Sequence, residues 1–171
     1  LCAAPGGKAF QAISLSSDVF LNDISKKRSE ILEANIKRLK LKNKINIADA
    51  TYINEKEKFD VVILDSPCSG LGTIRRNPEI LYKKKHPDFK KLIILQNTLI
   101  NKAAKLVKNK GILIYMVCSF NLDETKMIKK NFLKKNKNFI QIKFQTNNKD
   151  LNKKFIDNEG DISCFPSEYL G

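Results

Sequence analysis

Cys68 in Asp65-Ser66-Pro67-Cys68-Ser69-Gly70 and Cys118 in Tyr115-Met116-Val117-Cys118-Ser119-Phe120 each follow a short run of Val, Ile and Leu. A thiolate adds to an electron-poor carbon and leaves again, and a carboxyl beside it can move the proton such an addition needs. Either thiol taken alone reads as a buried structural cysteine. Two of them at the ends of two apolar runs, one just past Asp65, read as covalent chemistry. Pro67 stiffens the turn between Asp65 and Cys68, which holds carboxyl and thiol in fixed relation.

A second group opens the chain: Cys2-Ala3-Ala4-Pro5-Gly6-Gly7-Lys8. Its glycines let the backbone come close to a ligand, and the helix start that follows offers N–H groups to a carboxylate or phosphate. The same turn also reads as a tight structural bend. Two nucleotide loops are excluded. A P-loop needs an earlier glycine where Cys2 stands and a Ser or Thr where Ala9 stands, and the G-x-G-x-x-G fingerprint is absent. Asp23 lies where a carboxylate accepts hydrogen bonds from ribose hydroxyls in nucleoside-binding α/β folds. Asp49, one strand further, could receive an adenine amino group. Both aspartates also read as ordinary solvated loop residues.

The elements that must position these groups alternate. Residues 1–4 read as the end of a strand, 8–15 as a helix and 18–22 as a strand ending before Asp23. Residues 25–41 carry Ile31, Leu32, Ile36 and Leu39 at helical spacing, with Ser25 as N-cap. Strands over 44–48 and 59–64 follow, then a basic loop over 70–91. Residues 92–107 read as a helix with Leu95, Leu99, Ala103 and Leu106 on one face, and Gly111 fits just beyond its end. A strand over 111–117, a helix over 124–135, a strand over 138–144 and an exposed lysine- and asparagine-rich loop over 145–161 complete the pattern. Repeated β-α units with continuous apolar strands indicate an α/β fold, a mostly parallel sheet with helices on both faces. Ligands bind such sheets beyond the carboxyl ends of the strands, where Cys2, Asp23, Asp49, Asp65 and Cys118 all fall.

The 171 residues fit one domain, and the net charge of +14 is high. It points to a polyanion such as nucleic acid, or to a lysine-rich composition that loads every exposed face. Arg75, Arg76 and Lys83–Lys85, just past Cys68, suit phosphate contacts. His86 reads as a surface loop residue. Four cysteines without a C-x-x-C pair and a single histidine argue against a metal site. No apolar run reaches the ~18 residues of a membrane span. No signal peptide opens the chain, so a cytoplasmic location with reduced thiols is the default expectation.

With these residues in view, the chain resembles the Sun-type (RsmB/NOL-NOP-Sun) RNA (cytosine-5)-methyltransferases. The resemblance rests on the 2–8 loop, Asp23-Ile24-Ser25, Asp49-Ala50, residues 65–78 from Asp65-Ser66-Pro67-Cys68 to Arg75-Arg76-Asn77-Pro78, and Cys118-Ser119. It is strong over residues 1–135 and weak over 160–171. The departures are Val117 for the usual Thr, Ser66 for Ala, and Asn77-Pro78-Glu79 for His-Pro-Asp.

The resemblance implies the class I S-adenosylmethionine-dependent methyltransferase sheet, Rossmann-like and incomplete at both termini, with a closing strand and an N-terminal RNA-binding region missing. The 2–8 loop would hold the methionine end of S-adenosyl-L-methionine, Asp23 the ribose and Asp49 the adenine. Asp65 would border the methionine amino group and the base. Cys118 matches the nucleophile and Cys68 the cysteine that helps release product, while Lys8 and Asp65 match residues that contact the cytosine. RNA is the implied partner, small-subunit ribosomal RNA first and transfer RNA second. Two rivals stand beside this reading. A DNA cytosine-5 methyltransferase places its nucleophile in a Pro-Cys element like Pro67-Cys68, and a noncatalytic RNA-binding module would keep the sheet without turnover.

Overall fold

The apolar runs become two parallel ladders. β1 (Leu21–Asp23) pairs with β2 (Ile45–Ile47), and β3 (Phe59–Asp65) pairs with β4 (Val107–Met116). The computed structural model describes residues 1–15, 18–54, 56, 58–82, 88–144, 146–147 and 155–164. They fall into two units. The first is Leu1–Cys68 with Phe89–Val117, and the second is Ser69–Asp88 with Cys118–Gly171.

In the first unit the two ladders are joined by the segment before the glycine turn. The Leu1 nitrogen donates to the Ile63 carbonyl at 2.6 Å, the Asp65 N–H donates to Leu1 at 3.3 Å, and the Ala3 N–H donates to Asn22 at 2.9 Å. Bonding to residues 63 and 65 of one neighbour is the slanted pattern of a parallel pair. Residues 1–3 therefore bridge β1 and β3 through backbone hydrogen bonds, in the place expected for 1–4, but as irregular backbone rather than a strand, with Cys2 at a φ of 58°. Asn22, itself buried, adds a side-chain tie by donating to the carbonyls of Asn46 and Ala48 at 3.1 and 2.8 Å.

Three helices pack on this sheet. α1 (Gly7–Leu15) and α2 (Lys26–Arg38) enclose a core of Ala4, Ala9, Leu21, Leu32 and Ile36. Ser25 caps α2 as expected, its hydroxyl accepting from the Arg28 N–H at 3.3 Å. The buried stripe of α2 is narrower than its sequence suggests. Ile31 and Leu39 face solvent, while Ser29 turns inward.

α3 (Phe89–Leu106) lies against β3 and β4 and buries Gln96, Leu99, Ile100, Ala103 and Leu106, a helical repeat that leaves Leu95 partly exposed. Gly111 does not cap this helix. α3 runs directly into β4 at Val107, and pairing jumps from Phe59↔Val107 to Val61↔Ile112, so residues 108–111 form a bulge inside the strand. No helix among the described residues is long and apolar enough to cross a membrane.

In the second unit, α4 (Lys126–Lys135) buries Ile128 and Phe132, and Phe139 packs edge-on to Phe132 with ring centroids 5.2 Å apart. Lys126 pairs with Asp157 at 2.8 Å, and Lys129 with Glu159 and Asp161 at 2.6 and 2.5 Å, which ties α4 to the segment over 157–161. The expected strand over 138–144 is irregular backbone. The Phe144 N–H donates to Gly160, and Ile140 and Ile142 are exposed. Alternating apolar residues supply only a preference, and a strand forms where a neighbour completes the ladder. The expected loop over 145–161 falls largely outside the described residues, as do Lys83–Lys85 and His86.

Ser29 offers a direct test of this core. Its hydroxyl is buried without a hydrogen-bond partner in the first turn of α2. Ser29→Ala removes an unsatisfied polar atom and raises helix propensity, so stability should rise by about 0.5–1 kcal/mol. A higher urea midpoint with unchanged slope is the expected result, and a lower midpoint would contradict this packing.

Candidate active site

The turn after residues 1–3 is built around Gly6. Its φ of 119° is left-handed, and a Cβ there would lie 2.6 Å from Leu32 Cδ1 and 2.8 Å from the Phe10 ring. Only glycine fits both the backbone and the space. At Gly7 the opposite holds, since a Cβ would meet nothing within 4 Å. The turn is thus pressed onto α2 on one side and open on the other. The first bond of α1 runs from the Phe10 N–H to Gly6, so the amides of Gly7, Lys8 and Ala9 precede any intrahelical acceptor. Open space beside such amides suits a carboxylate-bearing ligand.

At the end of β3, Asp65 accepts from the Lys8 ammonium at 2.7 Å, with side chains 31% and 50% exposed. Two candidates from distant parts of the chain therefore meet at the glycine turn. The residues after Asp65 are held from both sides: the Ser66 N–H donates to Met116 at 2.9 Å, and buried Gln96 donates from Nε2 to the Pro67 carbonyl at 2.9 Å. Cys68 follows, half-buried. Gln96 was hidden from sequence reading, because a glutamine on an apolar helix face reads as an interruption rather than a support.

Asp23 ends β1, and its side chain is fully buried. Oδ2 accepts from the Ala4 N–H at 3.0 Å, while Oδ1 accepts from the Ser25 N–H at 2.8 Å and from Arg28 Nη2 at 3.2 Å. This carboxylate fastens the 2–8 loop to the start of α2. Asp49 closes a local turn, its Oδ1 accepting from the N–H and the hydroxyl of Thr51, both at 2.8 Å. Cys2 is half-buried, and that burial pushes its thiol pKa up, which suits a packing role.

In the second unit, Cys118 is exposed and its carbonyl accepts from the Gly72 N–H at 3.0 Å. A Cβ at Gly72 would sit 3.1 Å from that carbonyl oxygen, so the close approach relies on glycine. Arg75 and Arg76 follow this turn and are exposed. Ser69, Ser119 and Glu124 form a hydrogen-bonded group in the same unit that sequence reading did not single out. Among the described residues no cluster of His, Cys, Asp or Glu is arranged to hold a metal ion.

A mostly parallel sheet flanked by helices, with a glycine turn and polar strand ends at one edge, defines an α/β ligand-binding class. The comparisons make it specific. A family model described as 16S rRNA methyltransferase RsmB/F matches residues 1–169, and the chain belongs to that family. Over 123 residues it is 38% identical to the ribosomal RNA small subunit methyltransferase B of Shewanella oneidensis, covering 69% of this chain and 29% of that protein. The crystal structure of PH0851 superposes with a TM-score of 0.74 at 34% identity, covering 78% of this chain and 32% of that one. NSun6 from Pyrococcus horikoshii with SFG superposes with a TM-score of 0.71 at 29% identity, covering 79% and 36%. The fold is accordingly the Rossmann-like sheet of Sun-type methyltransferases. The chain spans about a third of the length of the curated relatives it matches.

The two glycines of the turn should respond differently to one methyl group. Gly6→Ala forces a strained φ and a collision with Leu32 and Phe10, for an expected loss of about 1–3 kcal/mol. Gly7→Ala meets open space and should leave the urea midpoint within about 0.5 kcal/mol of the parent. Equal losses at the two positions would contradict the geometry of the turn.

Proposed function

We propose that this chain is part of the catalytic domain of an S-adenosylmethionine-dependent RNA methyltransferase acting on C5 of a cytosine through a covalent cysteine adduct. The domain reading covers residues 1–171. Small-subunit ribosomal RNA is the proposed substrate, in keeping with the family and the names of its curated members. The observation that carries the reading is the Lys8–Asp65 contact at 2.7 Å, which joins two groups matching cytosine contacts of the family at the rim of the glycine turn.

The chain's residues suit the cofactor. The open face at Gly7 and the first amides of α1 would take its methionine carboxylate, with residues 2–8 around them, and Asp65 would border its amino group. Asp49, just past β2, is assigned to the adenine side, and Asp23, whose buried carboxylate is taken up by Ala4, Ser25 and Arg28, serves the ribose side by holding the 2–8 loop and the start of α2 in place. A solved neighbour carries SFG, an analogue of S-adenosylmethionine, which supports this cofactor. When bound, S-adenosylmethionine supplies an electrophilic methyl group.

Cytosine C5 is a weak nucleophile, and the chain's own groups must activate it. The Cys118 thiolate forms a bond to C6. The C5–C6 double-bond pair moves to C4–C5, and the C4–N3 pair moves onto N3, which takes the proton of the Asp65 carboxyl. With the cofactor bound, C5 would take its methyl group through the C4–C5 pair while the S–CH3 pair stayed on the cofactor's sulfur, and N3 would restore its double bond to C4 and return its proton to Asp65. A base takes the C5 proton, the C–H pair restores C5–C6, and the C6–S pair leaves with Cys118, with Cys68 assisting this release. Lys8 holds Asp65 and the cytosine in register. The base must leave its stack to reach such groups, so a single-stranded or opened RNA segment is the form bound. Arg75 and Arg76 are assigned to its phosphates. Four thiols suit a reducing compartment, which makes the cytoplasm the proposed setting.

The two cysteines separate the steps. With target RNA and S-adenosylmethionine, Cys68→Ala should accumulate a denaturation-resistant protein–RNA adduct, and Cys118→Ala should give none while still binding cofactor. The reverse pattern would assign the nucleophile to Cys68, as in the DNA enzymes. No adduct from either variant, with cofactor bound normally, would refute covalent catalysis.

A further inference from the structure

We infer that Glu124 is a positioning residue for Cys118, a role that rests on the reaction proposed above. Glu124 sits in the turn before α4 and is fully buried. Its Oε1 accepts from the Ser69 N–H at 2.8 Å, and its Oε2 accepts from the Ser69 hydroxyl at 2.5 Å and the Ser119 hydroxyl at 2.6 Å. The two hydroxyl oxygens are 3.0 Å apart, and Ser119 Oγ also accepts from the Asn121 N–H at 3.1 Å. A buried carboxyl group is costly unless its oxygens find donors, and here donors from two chain segments converge on it.

What these segments carry gives the network its meaning. Ser119 is the residue after Cys118, and Ser69 is the residue after Cys68. Cys118 is thereby bracketed within the second unit. Its own carbonyl is held by the Gly72 N–H at 3.0 Å, and the next side chain is held by Glu124. The thiol is exposed, and the backbone just after its Cα is held by these bonds. A nucleophile misplaced by about 1 Å loses on the order of 100-fold in rate. The role inferred for the carboxyl is exerted through Ser119 and Ser69, the side chains it holds.

Shape rather than charge is what this role requires, and that separates it from an electrostatic one. Glu124→Gln keeps one acceptor for the Ser69 N–H and presents a donor to hydroxyls that can turn to accept it. Glu124→Ala keeps neither. The experiment measures the rate of adduct formation in the Cys68→Ala protein, and kcat, KM for RNA and cofactor affinity in the otherwise unaltered protein. Glu124→Ala should slow adduct formation and kcat by about 100-fold, with KM and cofactor affinity within about threefold of the parent. Glu124→Gln should recover to within about fivefold of the parent, and Ser119→Ala should fall between the two.

A Glu124→Ala protein that is folded and reacts at the parental rate overturns the inference. So does a Glu124→Gln protein as slow as Glu124→Ala, or a loss confined to KM. Should Glu124→Ala fail to fold, Ser119→Ala decides, and a parental rate there overturns the role. If the Cys68→Ala parent itself forms no adduct, the reaction reading fails and this inference fails with it. A normal parent with unaffected Glu124 and Ser119 variants sinks the inference alone.

Discussion

The first unit depends on one short backbone connection. Residues 1–3 bond on one side to β1 through Asn22 and on the other to β3 through Ile63 and Asp65. Without those bonds the β1–β2 and β3–β4 pairs would be two separate ladders, each too small to stand alone. The same bonds deliver the glycine turn to the end of β3, which is why Lys8 reaches Asp65. Fold and candidate site are therefore set by one interaction, the seating of a few residues between two parallel neighbours.

Three carboxyl groups do different work, and burial decides which does what. Asp23 is fully buried and bonded to two backbone amides and Arg28, so removing it would strand amide donors, at a cost of about 1–3 kcal/mol for a buried one. It is an anchor. The Lys8–Asp65 pair is half exposed, and pairs of that kind contribute only about 0–1 kcal/mol. Breaking it costs little, so both groups can turn from each other to a ligand and back. Glu124 is buried like Asp23 but gathers side-chain hydroxyls rather than anchoring a strand end. A rigid anchor beside an easily exchanged pair is the combination a transfer site needs, since the frame must hold while the reacting groups change partners.

Much of this was legible in the residues. The run Phe59–Asp65, the Ser25 cap and the apolar period of α3 each announce their element, because the signal is local. The polar strand ends follow once the alternation of strands and helices is seen. What escaped reading depends on contacts distant in sequence. Gln96 looks like a break in an apolar stripe until the Pro67 carbonyl lies beside it. Glu124 looks like an ordinary acid at a helix start until Ser69 and Ser119 converge on it. Asp23 reads as open to a ligand, yet its bond to Ala4 requires the 2–8 loop to fold back across β1. The strand expected over 138–144 failed for the complementary reason, since its alternation is present but no neighbour completes a ladder along it among the described residues.

The central claim is that a sulfur at the end of β4's segment activates a cytosine in RNA for methylation at C5. Its most direct test is a transcript-wide map of 5-methylcytosine from cells carrying the intact protein and from cells carrying only its Cys118→Ser form. The account predicts that a defined cytosine in small-subunit ribosomal RNA is methylated in the first and unmethylated in the second. An identical map from the two would contradict it.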